Sequence, residues 1–247
     1  MRIAVMRIGV LGRDGRMGQL LAEEVVAAGH ALVNETSVDA GVLAATSDAV
    51  IDFTHASRVR AHAAVLGEAG VPWILGTTGL DAGEEAAVAE AAVRATVVCA
   101  PNFSPGVTLL LALAEKMASA LPGDVYDAEI VEMHHRQKVD APSGTAIGLG
   151  RAVAAGRGVR LEDVMVGGRQ GHTGPRPPGA IGFAAMRGGQ VVGEHTLLFA
   201  AGSEHIALSH QALDRRVFAT GAVQAAGWAY RRAPGLYSMM DVLGIKP

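Results

Sequence analysis

Cysteine is nearly absent from this 247-residue chain: Cys99 is the only one. No internal disulfide can form and a thiolate metal cage would lack ligands, so a reducing compartment is expected. Cys99 sits in the run Val97-Val98-Cys99-Ala100, where a packed, inert thiol is the expectation. No apolar stretch is long enough to span a bilayer. The apolar start Met1-Arg2-Ile3-Ala4-Val5-Met6 is broken by Arg7, Arg13 and Arg16 before the core of a secretion signal could form. A long basic run is missing too, and the formal net charge is -3, which argues against nucleic acid as a partner. Internal repeats and low-complexity linkers are likewise absent. These absences lead to the expectation of a soluble, cytoplasmic protein that acts on something small.

What is present is apolar material and glycine. Half of the residues are hydrophobic and 32 are glycine, enough to bury a sizeable core in one large domain or two modest ones. Arg7-Ile8-Gly9-Val10-Leu11 reads as a short strand, Gly12-Arg13-Asp14-Gly15-Arg16-Met17-Gly18 as a glycine loop, and residues 19–28 as a helix. Strand, loop and helix in that order are the setting in which G-x-x-G-x-x-G binds a dinucleotide pyrophosphate. The glycines let the backbone approach the phosphates, and the helix N-terminus faces their charge. Glycines serve any tight strand–helix turn, so the flanking Arg13 and Arg16 add weight to the binding reading.

Further strands at 31–33, 49–53, 71–75 and 96–99, with helices at 57–69 and 81–94, predict an α/β domain with a Rossmann-type, doubly wound parallel sheet. Ligands of such sheets sit outside the carboxyl ends of the strands. Gly12, Thr54, Gly76-Thr77-Thr78 and Asn102 all fall there. An acidic residue about 20 positions past the glycines commonly takes the ribose 2′-hydroxyl. Glu35 and Asp39 both qualify, with Thr36 and Ser37 between them. A Ser/Thr setting near Arg13 would instead suit a 2′-phosphate, so NADH and NADPH both stay open.

After Phe103 the pattern changes. Residues 107–121 form an apolar helix, 126–133 alternate as a strand, and 157–187 are rich in loop residues. Stretches 181–186, 190–199 and 205–210 read as strands of a mainly antiparallel sheet, 218–231 as a helix, and 239–243 as an apolar tail. The division expected is a dinucleotide domain over 1–104, an α+β substrate and oligomerisation domain over 105–215, and a segment from about 216 to 247 that returns to the first.

Chemistry concentrates in Glu132-Met133-His134-His135-Arg136-Gln137-Lys138-Val139-Asp140-Ala141-Pro142-Ser143-Gly144-Thr145-Ala146. Proton donors and cations crowd into a few positions and run into a small-residue turn that opens a helix. Such a turn presents backbone N–H groups and the positive end of the dipole to an anion. Either histidine alone would more often be an ordinary polar residue, but a cluster that ends in a helix start suits a carboxylate substrate that needs a proton. His172 and His195 have the look of structural residues, and His30, His55, His62, His205 and His210 have no constellation around them.

With these pieces assembled, the chain closely resembles the dihydrodipicolinate reductase family over essentially its whole length. The resemblance rests on Gly12 to Gly18, Ile51-Asp52-Phe53-Thr54, Gly76-Thr77-Thr78-Gly79, Ala100-Pro101-Asn102-Phe103-Ser104 and above all His134 to Ala146. Gly171-His172-Thr173-Gly174, Ile181-Gly182-Phe183-Ala184 and Val192-Gly193-Glu194-His195-Thr196 add to it. It implies reduction of a small cyclic dicarboxylate, 4-hydroxy-tetrahydrodipicolinate, by NADH or NADPH with loss of water, in the lysine/diaminopimelate pathway. It implies that His134 and Lys138 are the proton donors, that His135 binds substrate, and that Gly144 and Thr145 hold a substrate carboxylate. It implies cofactor contacts from Gly12, Arg13, Asp14, Gly15, Arg16 and Met17, from Gly76, Thr77 and Thr78, and from Ala100, Pro101, Asn102 and Phe103. A homotetramer built through the sheet of the second domain is implied as well, with no metal.

Two other readings compete. A metal hydrolase would use His134, His135, His172 and His195 as ligands, although adjacent residues of a strand point to opposite faces. A redox-sensing module would hold NAD(P)H without chemistry and leave the proton-donor cluster without a purpose.

Overall fold

A computed structural model describes residues 5–33 and 39–245 of the chain. These divide into two compact units, one formed by the residues up to Pro105 with those from Arg215 onward, the other by Gly106–Asp214.

The chain enters the first unit through β1 (Arg7–Leu11), α1 (Arg16–Ala27), β2 (Ala31–Leu32), α2 (Ala40–Thr46), β3 (Ala49–Asp52), α3 (Ala56–Ala69), β4 (Trp73–Leu75), α4 (Ala82–Ala91) and β5 (Thr96–Cys99). The strands are Val- and Ile-rich and helices cover both faces of their sheet, so apolar residues point both ways. Ile8 and Val10 of β1 join Ile51, Ile74 and Val98 in one core. Leu11, Val50, Trp73, Leu75 and Val97 join Leu43, Val59, Leu66 and Val88 of the flanking helices in the other. Local signals set the helix ends. Asp81 and Glu84 form a reciprocal capping box at the start of α4, and Gly70 closes α3 in the left-handed region at φ 65°. The short α2 lies in a stretch whose sequence pattern marks no element, and Asp39 caps it by accepting from the Gly41 and Val42 N–H groups.

The second unit holds α5 (Pro105–Ala120), β6 (Asp127–His134), α6 (Gly144–Gly156), α7 (Leu161–Val164), β7 (Met165–Gly167), β8 (Ile181–Arg187), β9 (Gly193–Ala200) and β10 (His205–Ala212). Its sheet runs β10-β9-β6-β8-β7. The pairs β6–β9 and β9–β10 are antiparallel, whereas β6–β8 and β7–β8 are parallel. The sheet is thus mixed where alternation alone suggested mainly antiparallel pairing, because a periodicity of two is blind to strand direction. The parallel β6–β8 pair needs a crossover connection, and α6 lies in it. The stretch from Arg157 to Arg187, read as loop, contains α7 and β7 before β8. One face of the sheet packs Ile130, Ile181, Phe183, Leu197 and Phe199 against Leu110, Leu149 and Val153 of the helices. On the other face Val131 and Met186 remain 36% and 48% exposed.

From Arg215 the chain is back in the first unit with α8 (Arg216–Ala229), β11 (Gly235–Tyr237) and α9 (Met239–Leu243). β11 extends the first sheet beside β5, giving six parallel strands in the order β11-β5-β4-β3-β1-β2. Ala219, Ala222, Val223 and Ala226 of α8 fill the core over Ile8 and Ile51. Small residues let α8 lie close. A Cβ on Gly221 would stand 1.8 Å from the carbonyl oxygen of Phe103, a backbone atom that cannot step aside. Gly221→Ala should therefore destabilise the protein by about 1–3 kcal/mol or more, read as a lowered midpoint in denaturant unfolding, while Gly227→Ala on the same helix, where nothing stands within 4 Å, should cost little.

Candidate active site

In the first sheet the strand order reverses beside β1, whose neighbours are β2 on one side and β3 on the other. The carboxyl ends of strands at such a switch point are where open α/β sheets bind ligands. Leu11, Asp52, Leu75 and Cys99, the last residues of β1, β3, β4 and β5, stand in register with one another. The loops that follow therefore leave the sheet along one line, and they contain Gly12, Thr54, Gly76-Thr77-Thr78 and Asn102. A cavity of about 320 Å³ opens there, lined by Leu11, Gly12, Thr54, His55, Arg58 and His62.

The glycine loop is built for close approach. Gly12 has φ 75°, its carbonyl accepts from Gly15 N–H at 3.0 Å, and a Cβ on Gly18 would stand 2.1 Å from that same oxygen. Gly15 caps α1 without a side chain and no acidic residue stands in the first turn, so the positive end of the helix is not neutralised there. The hydroxyl of Thr77 is buried and has no partner among the described residues. A backbone cradle, an uncapped helix start and an orphaned hydroxyl at one sheet edge fit the phosphates and polar groups of a dinucleotide. Beneath them the buried Asp52 accepts from the Thr54 N–H and hydroxyl at 3.1 and 2.6 Å, bonds His62 at 2.8 Å and accepts from Trp73 Nε1 at 3.3 Å. That network fixes the turn after β3. Asn102 shapes the turn after β5 by accepting from Ser104 N–H at 2.8 Å. Of the residues weighed for the ribose, Asp39 spends its carboxylate on the α2 cap, and Glu35, Thr36 and Ser37 lie outside the described residues.

In the second unit β6 delivers a different kind of chemistry. Alternation along the strand puts Ala128, Ile130, Glu132 and His134 on the helix-covered face, all of them buried. Glu132 Oε2 bonds His134 Nδ1 at 2.5 Å. Arg187, at the end of the neighbouring β8, grips the same carboxylate with both terminal nitrogens at 2.9 and 2.8 Å. The remaining contact of Glu132 is the Ser143 N–H at 3.2 Å. Ser143 caps α6 by accepting from Ala146 N–H, and its hydroxyl bonds His195 Nε2 at 3.0 Å. The His134 and His195 rings meet edge to face at 5.1 Å. Gly193, next to His195 on β9, leaves room for this pair, because a Cβ there would stand 3.0 Å from His134 Nε2.

Burial sets the charges. Burial alone would raise the Glu132 carboxyl, but the hydrogen bonds from Arg187 and His134 more than offset this and hold it below the usual carboxylate range. Burial lowers the pKa of His134, with Glu132 working in the opposite direction and Lys138 and Arg187 adding to the fall. His195 is pushed down to about 4 by burial and by the neighbouring His134, so it is neutral at pH 7.

His134, Lys138, Gly144 and Thr145 thus lie along one short path that leads from the end of β6 into α6. Lys138 is in the connecting loop, with Nζ 2.8 Å from Asp140 Oδ1. His135 falls just past the strand end and is half-buried, and its carbonyl accepts from Lys138 N–H. Gly144 and Thr145 open α6. Among the described residues no three His, Cys, Asp or Glu side chains stand together as metal ligands. His172 lies exposed in the loop before β8, away from any regular element. His195, read from the sequence as structural, is instead part of the cluster. Sequence reasoning gave no role to Glu132, although it opens the stretch singled out, nor to Gly193 or Arg187. The available signal was an acid two residues before His134, on the apolar face of an alternating strand.

A glycine cradle at the switch point of a parallel sheet, with a buried carboxylate–histidine cluster in a second unit, fits a dinucleotide-dependent oxidoreductase. The chain belongs to the dihydrodipicolinate reductase family: residues 29–103 match the model of the family's N-terminus and residues 106–243 that of its C-terminus. It is 64% identical to 4-hydroxy-tetrahydrodipicolinate reductase of Granulibacter bethesdensis over 98% of both chains. It is 56% identical to that of Gluconacetobacter diazotrophicus over 97% of this chain and 98% of the other. Its fold superposes with a TM-score of 0.77 on the dipicolinate-bound dihydrodipicolinate reductase from Paenisporosarcina sp. TG-14, at 22% identity and over 96% of this chain and 99% of that one.

The depressed His195 has a consequence for stability. Between its ordinary value of 6.5 and about 4 the unfolded chain binds a proton that the folded chain refuses. The His195 contribution to stability is therefore fully present above about pH 6.5 and is lost as pH falls toward 4, by on the order of 3 kcal/mol. Denaturant unfolding across that range should show a smaller acid loss in His195→Gln than in the parent protein.

Proposed function

We propose that His134 is the proton donor, with Lys138 as the cation beside it, in the reaction of this family. That reaction is the reduction of 4-hydroxy-tetrahydrodipicolinate by a nicotinamide cofactor, with loss of water, to tetrahydrodipicolinate in lysine biosynthesis through diaminopimelate. The observation that carries the assignment is a buried histidine bonded at 2.5 Å to a carboxylate that also anchors the start of α6. When bound, the nicotinamide supplies the hydride; protons and charge fall to side chains of this chain. Hydride addition to the conjugated C=N system leaves negative charge on the ring, and a proton from His134 Nε2 quenches it. The Lys138 ammonium stabilises that charge and the neighbouring carboxylates as it develops. Gly144 and Thr145, at the positive end of α6, receive a substrate carboxylate, and His135 orients the substrate. One hydride and one proton enter, and one water leaves.

In this reading the first unit holds the cofactor through Gly12 to Met17, Gly76 to Thr78 and Ala100 to Phe103. The second unit holds the substrate. The nicotinamide cofactor is NADH or NADPH, and the stretch with Glu35, Thr36, Ser37 and Asp39 is where the preference between them would be set. The uncovered face of the second sheet, with Val131, Met186 and Leu198, supports a homotetramer formed through it. A biosynthetic reductase drawing on the nicotinamide pool fits the cytoplasm.

A coupled assay tests the reading. Dihydrodipicolinate synthase generates the unstable substrate from pyruvate and aspartate semialdehyde, and nicotinamide absorbance is followed with NADH and NADPH in parallel. Consumption should depend on the synthase. His134→Ala and Lys138→Ala should each lower kcat by about 10²-fold or more while cofactor affinity, read by fluorescence titration, changes little. Turnover near the parent level in both variants would sink the proton-donor assignment.

A further inference from the structure

We infer that Glu132, clamped by Arg187, is a positioning residue that fixes the tautomer of His134, and this rests on the reading of His134 as proton donor. Glu132 is 1% exposed, and both its oxygens are engaged by N–H donors: Arg187 on each, the Ser143 backbone on one and His134 Nδ1 on the other. An ionised carboxylate only accepts hydrogen bonds, so Nδ1 must carry its proton whenever Glu132 is charged. Nε2 is then the ring nitrogen that gains and loses a proton. This is the nitrogen over Gly193, where the absent side chain leaves it space.

Arg187 makes the arrangement rigid. Its guanidinium also donates to the carbonyls of Met186 at 2.6 Å and Asp140 at 2.7 Å, so it cannot swing away from Glu132. It neutralises a buried charge that would otherwise take up a proton and turn into a donor itself. The Ser143 N–H ties the same carboxylate to the first turn of α6. The proton donor and the anion-binding helix start are therefore referenced to one side chain. The charged and titratable groups that face His134 are Glu132 on its own strand, Arg187 on β8, Lys138 and Asp140 in the following loop, and His195 on β9 with His210 behind it on β10. Glu132 alone touches the ring with a negative charge. It favours the imidazolium and so opposes, without overcoming, the burial, Lys138 and Arg187 that favour the neutral ring.

The test uses the full chain in the coupled assay, with kcat and KM followed across pH, together with ¹⁵N NMR of histidine-labelled parent protein. Neutral His134 should show the Nδ1–H tautomer. Glu132→Gln should lower kcat by about 10- to 100-fold with the cofactor KM within about twofold. It should also move the alkaline fall of kcat to lower pH, because the donor loses its anionic support. Adding Glu132→Gln to His134→Gln should cost nothing further, as expected for groups that act as one unit. An Nε2–H tautomer in the parent protein overturns the inference, and decides it even where Glu132→Gln fails to fold. An unchanged kcat and alkaline limb in Glu132→Gln beside a crippled His134→Gln overturns the role of Glu132 alone. Parent-level turnover in His134→Gln overturns the proton-donor reading itself.

Discussion

A single buried carboxylate organises the second unit of this protein. Glu132 sits on a strand face otherwise given to Ala128 and Ile130, and an unpaired charge there would cost several kcal/mol. Only the convergence of Arg187 from β8, Ser143 from α6 and His134 from its own strand makes the position tenable. Each partner is thereby fixed. Arg187 ends a strand, Ser143 starts a helix, and both must lie where the carboxylate can be shared. The layout of the unit follows from satisfying that one group, since its donors fix the His134 ring and the first turn of α6 relative to each other.

The first unit solves a simpler problem by simpler means. Its sheet is buried on both faces, so it draws its order from shape more than from charge. Ala-rich α8 and the close-packed Gly221 bring a helix down onto Ile8 and Ile51, while Trp73 fills the opposite face. The in-register ends of β1, β3, β4 and β5 then present their loops as one platform. The one buried carboxylate in that sheet, Asp52, is spent on holding the turn at Thr54.

Much of this was legible in the sequence, and the parts that were not have physical reasons. The strand–loop–helix at Arg7 to Ala27 and the β-branched runs at 49–52, 73–75 and 96–99 carry their own periodicity. β11 and α2 do not, because three residues of Gly-Leu-Tyr and seven of Ala-Gly-Val-Leu-Ala-Ala-Thr are too short to show a period. The direction of β8 relative to β6 depends on a crossover, which no local pattern encodes. In the site, His134 and Lys138 announce themselves by crowding. Glu132 and Arg187 do not, since a lone charge near a strand end ordinarily reads as solvated, and only the register of β6 against β8 turns them inward. His195 looked structural for the same reason: its neighbours, Ser143 and His134, are distant in sequence and meet it only in the fold.

The second unit is an insertion: residues 106–214 interrupt the first, whose sheet is finished by α8 and β11 only near the end of the chain. During synthesis Leu21 and Val25 of α1 can pack on Ile8, Val10, Ile51, Ile74 and Val98 early, but the part of that core filled by α8 stays open until residues 216–229 are made. The inserted unit is contiguous and has its own core, so it can be complete while its host still waits for its last helix. At elongation rates of about 5–20 residues per second, the stretch from residue 106 to residue 229 takes roughly 6–25 s to make. Until then the first unit keeps apolar surface open, the condition under which a nascent chain meets chaperones or aggregates.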